Sequence, residues 1–291
     1  MARPRDWTPE RHHQTKQGIP TMGGLILVWV WVLTVMSPYA PEPWYFTSLA
    51  LLIVLGMGFL GVYDDWSKIT RRGGIGARAK FVAQNLCAFA PSALWYWADP
   101  VSAGYLWIPL FNAYLFVGPL IVLWATLVIV SASNAVNLTD GLDGLAATVL
   151  SLCFGALALC AGMLGQLDVV FSATVAAGAC LGFLCLNWHP ARLFMGDTGA
   201  LAFGALLGFY AVQLNITLLL PLIAIVPVLE TVSVMLQVVW FKRYKTRIFK
   251  MAPIHHHFEL IGYSEHAISA VAGIITLVGS LIAVALIFFN N

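Results

Sequence analysis

The chain has 291 residues, of which 60% are hydrophobic and only 10% are charged. A soluble domain of average composition carries about a quarter charged residues, so this composition argues against a water-soluble protein and favours a membrane protein. The formal net charge of +2 says little by itself, and no nucleic-acid partner is expected.

Apolar stretches of about the length needed to cross a bilayer, roughly 20 residues, recur along the whole chain. We predict nine spans, at about residues 24–37, 44–63, 81–97, 111–131, 145–164, 169–186, 201–213, 217–240 and 267–289. The first and seventh have short apolar cores. The pattern predicts an all-α, polytopic membrane protein that forms a single domain over residues 1–291.

The basic residues fall on one side of the membrane if all nine spans cross it. That side receives all 15 Lys and Arg residues, whereas the other receives only Glu42, Asp99 and Asp168 among charged residues. By the positive-inside rule the basic side is cytoplasmic. The N-terminus is therefore predicted inside and the C-terminus outside.

The first polar segment, residues 12–24, precedes the first span. Lys16 stands beside a turn rich in glycine and proline, the sequence Gly18-Ile-Pro-Thr-Met-Gly-Gly24. A lysine in this setting suits a phosphate contact. It suits equally a flexible entry to a membrane helix that supplies positive charge.

Two adjacent carboxylates, Asp64 and Asp65, come where the second span meets the cytoplasm. They repel each other beside a low-dielectric slab unless a cation neutralises them. Magnesium suits oxygen-only ligands and binds through one or two carboxylates together with substrate phosphates. The alternative is a solvated helix end in which Lys68 pairs with Asp64 at i,i+4.

The segment between the fourth and fifth spans, residues 134–144, interleaves amides, a hydroxyl and carboxylates with two glycines. Its candidate site residues are Asn137, Asp140 and Asp143. Glycine lets a backbone turn tightly and approach a ligand closely, so we favour a nucleotide or metal site. Helix caps and turns explain one or two of these residues but not the whole set.

Residues 187–199 lead into the seventh span and contain Asn187, Phe194 and Asp197. A carboxylate just before a helix also suits a structural cap. Because Asp197 is predicted on the same membrane face as the two earlier acidic groups, we favour a metal ligand.

The most basic connection, between the eighth and ninth spans, carries three consecutive histidines, His255, His256 and His257. Zinc is not favoured, because no thiolate or spaced fourth ligand accompanies them. Histidine can donate hydrogen bonds to phosphate or move protons near neutral pH. Glu230 lies within the eighth span, where a carboxylate calls for a buried polar partner; we interpret it as structural.

These motifs, in this order, resemble those of the phospho-N-acetylmuramoyl-pentapeptide transferases, in the polyprenyl-phosphate N-acetylhexosamine-1-phosphate transferase superfamily. The similarity runs from about residue 11 to the last span. Its motifs are Lys16 with Pro-Thr-Met-Gly-Gly, Asp64-Asp65-x-x-Lys68, residues 134–144, Phe-Met-Gly-Asp-Thr-Gly at 194–199, and Met-Ala-Pro-Ile-His-His-His-Phe-Glu at 251–259. Position 19 is Ile where the family pattern leads us to expect Thr, and position 200 is Ala where we expect Ser.

The resemblance implies transfer of phospho-MurNAc-pentapeptide from its UDP conjugate to undecaprenyl phosphate, with magnesium as cofactor and lipid I and UMP as products. It places the chain in the bacterial inner (cytoplasmic) membrane, in peptidoglycan synthesis. The family has ten transmembrane helices around a cytoplasm-facing cleft and is often a homodimer. The helix that usually precedes the Lys16 motif is not among the nine predicted spans.

The resemblance also assigns roles. Asp64, Asp65 and Asp197 are the expected catalytic residues, with Asp197 and Asp65 at the metal and Asp64 deprotonating or orienting the lipid phosphate. Direct attack is ranked above a two-step route through an aspartyl-phosphate. The expected substrate-binding residues are Lys16, Lys68, Lys80, Asn137, Asp140, Asp143, Asn187, Phe194, His255, His256 and His257.

Two other functions stay open from the sequence. A member of the same superfamily could use UDP-N-acetylglucosamine as donor. An ion-coupled transporter would carry polar residues at mid-membrane depth in several spans, whereas Glu230 nearly stands alone here.

Overall fold

The computed structural model describes residues 19–41, 44–70 and 73–290. Its elements in chain order are α1 (Gly24–Val35), α2 (Trp44–Ile69), α3 (Ala77–Ala98), α4 (Pro100–Ala103), β1 (Tyr105–Ile108), a 3-10 turn (Pro109–Phe111), β2 (Ala113–Phe116), α5 (Leu120–Thr139), α6 (Leu145–Met163), α7 (Leu167–Asn187), α8 (Gly196–Gln213), α9 (Leu220–Ile223), α10 (Ile225–Tyr244), α11 (Ile254–Leu260) and α12 (Glu265–Asn290). The protein is all-α apart from one short hairpin, as predicted.

Each of the nine predicted spans contains a helix within the described part of the chain. Six of these helices, α2, α5, α6, α7, α10 and α12, are long and apolar enough to cross a membrane by themselves. Helix α1 is a shorter apolar helix, and α3 and α8 are outside the six. The sequence therefore predicted the helices well, and their length and composition make six of them candidate membrane spans.

Helix α8 lies at the centre of the bundle. Nearly all of its residues are buried, with α5 and α2 packed against it most extensively and α1 beside them. Its glycines permit this: a side chain at Gly204 or Gly208 would collide with the backbone of α5. Because small residues bring helices into close contact in a membrane, α8 can be enclosed on all sides.

The predicted start of the fourth span, residue 111, is wrong. Residues 105–116 form an antiparallel hairpin in which Tyr105 pairs with Phe116 and Ile108 with Ala113, and α5 begins only at Leu120. A short apolar run fits a strand as well as a helix. Gly118, with φ of 54°, and Pro119 then separate the hairpin from the helix.

The predicted eighth span, 217–240, is also not one continuous helix. It divides into α9 and α10, with Pro221 in the first turn of α9 and Pro227 in the first turn of α10. Proline is tolerated in a first turn, where its missing N–H has no helical partner, but not in a helix interior. The two prolines thus set where each helix starts.

Candidate active site

The last turns of α2 present three polar side chains toward α3 and α8. Asp64 and Lys68 are four residues apart and therefore share one face of the helix. Asp65 is rotated by about 100° from Asp64. Both carboxylates are buried, whereas the Lys68 side chain is half exposed. Helix α2 runs to Ile69, so the acidic pair lies inside the helix rather than beyond its end.

Asp197 comes from the first turn of α8, opposite Asp64. The two helices approach closely because Gly61 has no side chain; a Cβ there would collide with the backbone of Asp197 and Thr198. A side chain at Gly24 of α1 would likewise collide with the backbone of Gly199. Glycines on both neighbouring helices thus bring the start of α8 to the acidic end of α2.

Asp64 and Asp197 share two lysines. Lys68 Nζ lies 2.9 Å from Asp64 and 3.0 Å from Asp197. Lys80 Nζ, from α3, lies 3.1 Å from Asp64 and also donates to Asp197. We call these four side chains the carboxylate–lysine cluster. Its two positive and two negative charges balance, and each charge contacts both of the opposite sign.

Asp65 accepts different hydrogen bonds from Asp64, although its Oδ1 also lies 3.8 Å from Lys68 Nζ. It accepts hydrogen bonds from the backbone N–H groups of Asp197 at 3.2 Å and Thr198 at 3.1 Å, and from the Thr198 hydroxyl at 2.8 Å. These N–H groups belong to the first turn of α8, which has no helical acceptor for them and carries the positive end of the helix dipole. Asp65 therefore fixes the start of α8, and with it the position of Asp197.

The cluster fits a divalent cation such as magnesium. Two carboxylates that contact the same ammonium groups are close enough together to contact one ion in place of those groups. Their oxygens are the ligand type that magnesium prefers, and it commonly completes its shell with substrate phosphates and water. Asp197 is slightly exposed, with 13% of its side chain accessible, so the site is open from one side.

The loop at residues 140–144 is tied to the segment before α8. Asp140 accepts a hydrogen bond from the Gly196 N–H at 3.1 Å. Asn187 accepts from the Gly144 N–H at 3.1 Å and donates to the Leu193 carbonyl at 2.8 Å. These bonds place two of the predicted polar segments side by side, as their shared face implied.

Asp143 forms a second polar group with His189 and Glu265. Its carboxylate accepts from the Ala191 N–H at 3.0 Å and lies 3.0 Å from His189 Nδ1, while its own N–H donates to Glu265. One ligand atom from each of the three side chains lies within 4.8 Å of the others, so the group could hold a cation. The same contacts join the 140–144 loop to α12, which is a structural role.

The segment at residues 20–24 pairs with the backbone just before α8. Phe194 donates to the Pro20 carbonyl, and Gly23 and Gly24 donate to the carbonyls of Phe194 and Met195, at 2.8–3.0 Å. The Pro-Thr-Met-Gly-Gly motif therefore supports the Phe-Met-Gly-Asp-Thr-Gly motif directly. Lys16 lies outside the described residues.

The three histidines have three different surroundings. His255 is buried and lies against Glu230 and Gly141. His256 Nδ1 contacts Glu259 at 3.0 Å, and His257 Nδ1 accepts a hydrogen bond from the Lys250 N–H at 3.1 Å. Consecutive residues of one short helix thus face in different directions, as the helical period requires.

The structure brings Asp64, Lys68, Lys80 and Asp197 into direct contact and places Asp65 beside them. Asp140 reaches the same region through Gly196, whereas Asn137 and Phe194 are half-buried nearby in sequence. Sequence reasoning missed Thr198, His189 and Glu265 as contacts of predicted residues. Thr198 and His189 stand within the motifs that were recognised, but nothing in the sequence singled out Glu265.

The chain is similar to known proteins over most of its length. Residues 46–215, which include Asp64, Asp65 and Asp197, match glycosyl transferase family 4. A phospho-N-acetylmuramoyl-pentapeptide-transferase of Moorella thermoacetica is 44% identical over 265 residues, covering 88% of this chain and 80% of the relative. The transferase of the same name from Bacillus subtilis is 39% identical over 263 residues, covering 88% and 79%. That of Clostridioides difficile is 37% identical over 289 residues, covering 98% and 88%.

The match to the family spans more than half of the chain, and these relatives exceed one third identity over most of both lengths. The chain belongs to glycosyl transferase family 4 and, within it, to the phospho-N-acetylmuramoyl-pentapeptide-transferases.

Proposed function

We propose that this protein transfers phospho-MurNAc-pentapeptide from its UDP conjugate to undecaprenyl phosphate, giving lipid I and UMP. The observation that carries the proposal is the carboxylate–lysine cluster, in which Asp64 and Asp197 share Lys68 and Lys80. Phosphoryl transfer needs positioning and charge neutralisation more than covalent chemistry from the protein. The two lysines of the cluster can position and neutralise substrate phosphates, and the two carboxylates can bind a cation that does the same.

In the proposed reaction an oxygen of the lipid phosphate attacks the sugar-bearing phosphorus of the donor. The bond from that phosphorus to the bridging oxygen breaks, and UMP leaves. The lysines neutralise the incoming phosphates, and Asp64 orients the acceptor phosphate or takes its proton. A phosphate monoester is already largely dianionic at pH 7, since its second pKa is about 6. Direct attack therefore needs little help from a base.

Magnesium, when bound at this cluster, would neutralise charge on the pyrophosphate and on the departing UMP. The contacts favour Asp64 and Asp197 as its ligands, because both carboxylates face the same two ammonium groups. The sequence assigned Asp65 to the metal together with Asp197, and that assignment stays a prediction. The three hydrogen bonds that Asp65 accepts from the start of α8 support a positioning role as well.

The uridine end of the donor is proposed to lie along the 140–144 loop and the segment before α8. Asn137, Asp140 and Phe194 are half-buried and so retain surface that a nucleoside could contact. Asn187 is only 1% exposed and joins Gly144 to Leu193. Its proposed contribution is therefore to the shape of the pocket.

The proposed location is the bacterial cytoplasmic membrane, with the site facing the cytoplasm. The support is the charge distribution: the connections on the side of Asp64 and Asp197 carry all 15 basic residues if all nine spans cross. We also propose a homodimer, on the basis of the family resemblance.

The test is turnover by the purified protein in detergent or nanodiscs. Radiolabelled UDP-MurNAc-pentapeptide is incubated with undecaprenyl phosphate, with magnesium or with EDTA, and lipid product and UMP are measured. We expect both products in equal amounts and only with the metal. UDP-N-acetylglucosamine serves as the matched alternative donor. Product from that donor alone, or from neither, would overturn the proposed function.

A further inference from the structure

Helix α10 carries two polar side chains on one face, Glu230 and Gln237. They are seven residues apart, which is two helical turns, so they lie above one another. Gln237 accepts hydrogen bonds from the N–H groups of Ile248 and Phe249 at 3.1 and 3.0 Å, and donates to the Phe249 carbonyl at 3.1 Å. The segment that follows α10 therefore folds back along this face.

Glu230 contacts the same returning segment two turns away. Its Oε2 accepts a hydrogen bond from the His255 N–H at 3.3 Å and lies 3.0 Å from His255 Nδ1. Both side chains are almost fully buried, at 4% and 1% exposure. A carboxylate within an apolar helix is costly unless it is paired, and His255 is the partner that the sequence left unnamed.

The other edge of the His255 ring faces the active-site loop. Its Nε2 lies against Gly141, and any side chain at that position would collide with the ring. Gly141 stands between Asp140, which bonds Gly196 beside Asp197, and the rest of the 140–144 loop. The ring thus fills the space between α10 and the loop, with Nδ1 toward Glu230 and Nε2 toward Gly141.

We infer that Glu230 is a positioning residue that holds the His255 ring against Gly141 and so fixes the 140–144 loop for the nucleotide donor. This inference rests on the proposed function. His255, at 1% exposure, acts through the loop rather than by touching phosphate. For histidines that ligate metals, loss of the side chain that orients the ring typically costs about ten- to a hundred-fold in affinity or activity, and we take this as the scale for His255.

The inference predicts a specific pattern of kinetic changes. Glu230→Ala should raise the KM for the UDP-linked donor about ten- to a hundred-fold, with a much smaller change in kcat and in the KM for undecaprenyl phosphate. Glu230→Gln, which keeps an oxygen at the same distance, should stay close to the wild-type protein. Glu230→Asp, which keeps the charge but withdraws it by one methylene group, should behave like Glu230→Ala.

A double-mutant cycle with His255→Ala tests whether Glu230 works through the ring. In the His255→Ala background, Glu230→Ala should raise the donor KM much less than in the wild-type protein, because the ring is gone and only the backbone N–H of residue 255 still contacts Glu230. Thr231→Val is the matched control, since Thr231 is on the same helix and bonds only the Pro227 carbonyl in the contacts described. If Glu230→Ala does not yield a monodisperse protein, Glu230→Asp replaces it in the cycle.

The inference fails if the two losses multiply, or if Glu230→Ala lowers kcat or raises the KM for undecaprenyl phosphate as much as it raises the donor KM. It fails also if Glu230→Asp is tolerated and Glu230→Gln is not. Binding of UDP to each variant, measured by calorimetry, keeps this test separate from the proposed function. A wild-type protein that binds UDP but transfers nothing would contradict the function, while the cycle would still be read from the UDP affinities.

Discussion

The polar side chains at the two ends of the helical bundle differ in their charge and in the groups that they contact. At one end the carboxylate–lysine cluster holds four charges, each contacting two of opposite sign. At the other, which we call the hairpin end, the uncharged amide side chains of Gln213 and Asn215 make the polar contacts. Gln213 donates to Asp168 at 2.6 Å, and Asn215 bonds the backbone of both Tyr105 and Trp107.

The difference separates polar groups that stabilise the fold from polar groups that can exchange partners. At the hairpin end an uncharged amide bonds a carboxylate or the hairpin backbone, and these contacts join elements of the fold. In the cluster each lysine contacts both carboxylates, so phosphates and a cation can replace some contacts while others persist. Two members have one further contact each: Lys68 Nζ lies 3.8 Å from Asp65, and Asp64 accepts a hydrogen bond from the Ile75 N–H at 2.6 Å. A cavity of about 690 Å³ at the hairpin end, lined by Trp95, Asp99, Gln166 and others, does not include any member of the cluster.

The largest effect should come from Asp197→Asn. The change keeps the shape of the side chain but removes a charge that both lysines contact and that the cation would use. We expect turnover to fall by about a thousand-fold or more, at any magnesium concentration, with normal membrane insertion. Turnover is measured with radiolabelled donor. Size-exclusion of the protein extracted from the membrane fraction reports whether it is inserted and folded. If this variant turned over at the wild-type rate, the charge of Asp197 would not be needed for the reaction, and the proposed difference between the two ends would be wrong.

A second substitution asks whether the lysines are needed as a pair. Lys80→Met keeps the length of the side chain and removes the ammonium group that contacts both Asp64 and Asp197. With Lys68 still present, we expect turnover to fall by about ten- to a hundred-fold. Lys242→Met, on an exposed part of α10, is the matched control. Equal activities of the two variants would contradict the shared-lysine arrangement.

Thr198→Val separates positioning from chemistry within the same end. It removes the hydroxyl that donates to Asp65 at 2.8 Å and leaves the two backbone donors in place. A hydrogen bond to a charged group contributes about 1.5–3 kcal/mol, so the thermal stability should fall. Turnover at saturating magnesium should change by only about two- to five-fold, because the two backbone donors still hold Asp65. A stability unchanged within error, with activity lost, would assign Thr198 a direct chemical role.

The smallest effect should come from the hairpin end. Asp168→Asn keeps an oxygen that can accept from Gln213, so we expect turnover within about two-fold of wild type. The substitution removes a buried charge from the first turn of α7, so the free energy of unfolding should fall by about 1 kcal/mol. Turnover and thermal stability are measured as for Thr198→Val. A large loss of activity here would mean that the hairpin end contributes to the reaction and that the contrast drawn above is wrong.

The sequence could predict the helices and the polar segments because both depend on local composition. Long apolar runs mark helices in a membrane, and the Asp64–Asp65 pair and the glycine-flanked acids stand out against them. The hairpin at 105–116 escaped prediction because a short apolar run followed by Gly118 and Pro119 fits two structures.

The contacts of individual carboxylates could not be predicted. Which of Asp64 and Asp65 contacts both lysines depends on how α2 is rotated about its axis, and adjacent residues differ there by about 100°. That rotation is set by packing at Gly61 against α8, which is a long-range contact. The partner of Glu230 was equally hidden, because His255 reaches it only after the chain turns back along α10.

The central claim is that Asp64 and Asp197 can share one divalent cation, and metal binding tests it without requiring turnover. Mn²⁺, used in place of magnesium, is titrated into the purified protein, and the free ion is followed by electron paramagnetic resonance. We expect the wild-type protein and Asp168→Asn to bind the ion at one common site, and Asp64→Asn and Asp197→Asn each to lose that site. Unchanged binding in either of the last two variants would contradict the claim.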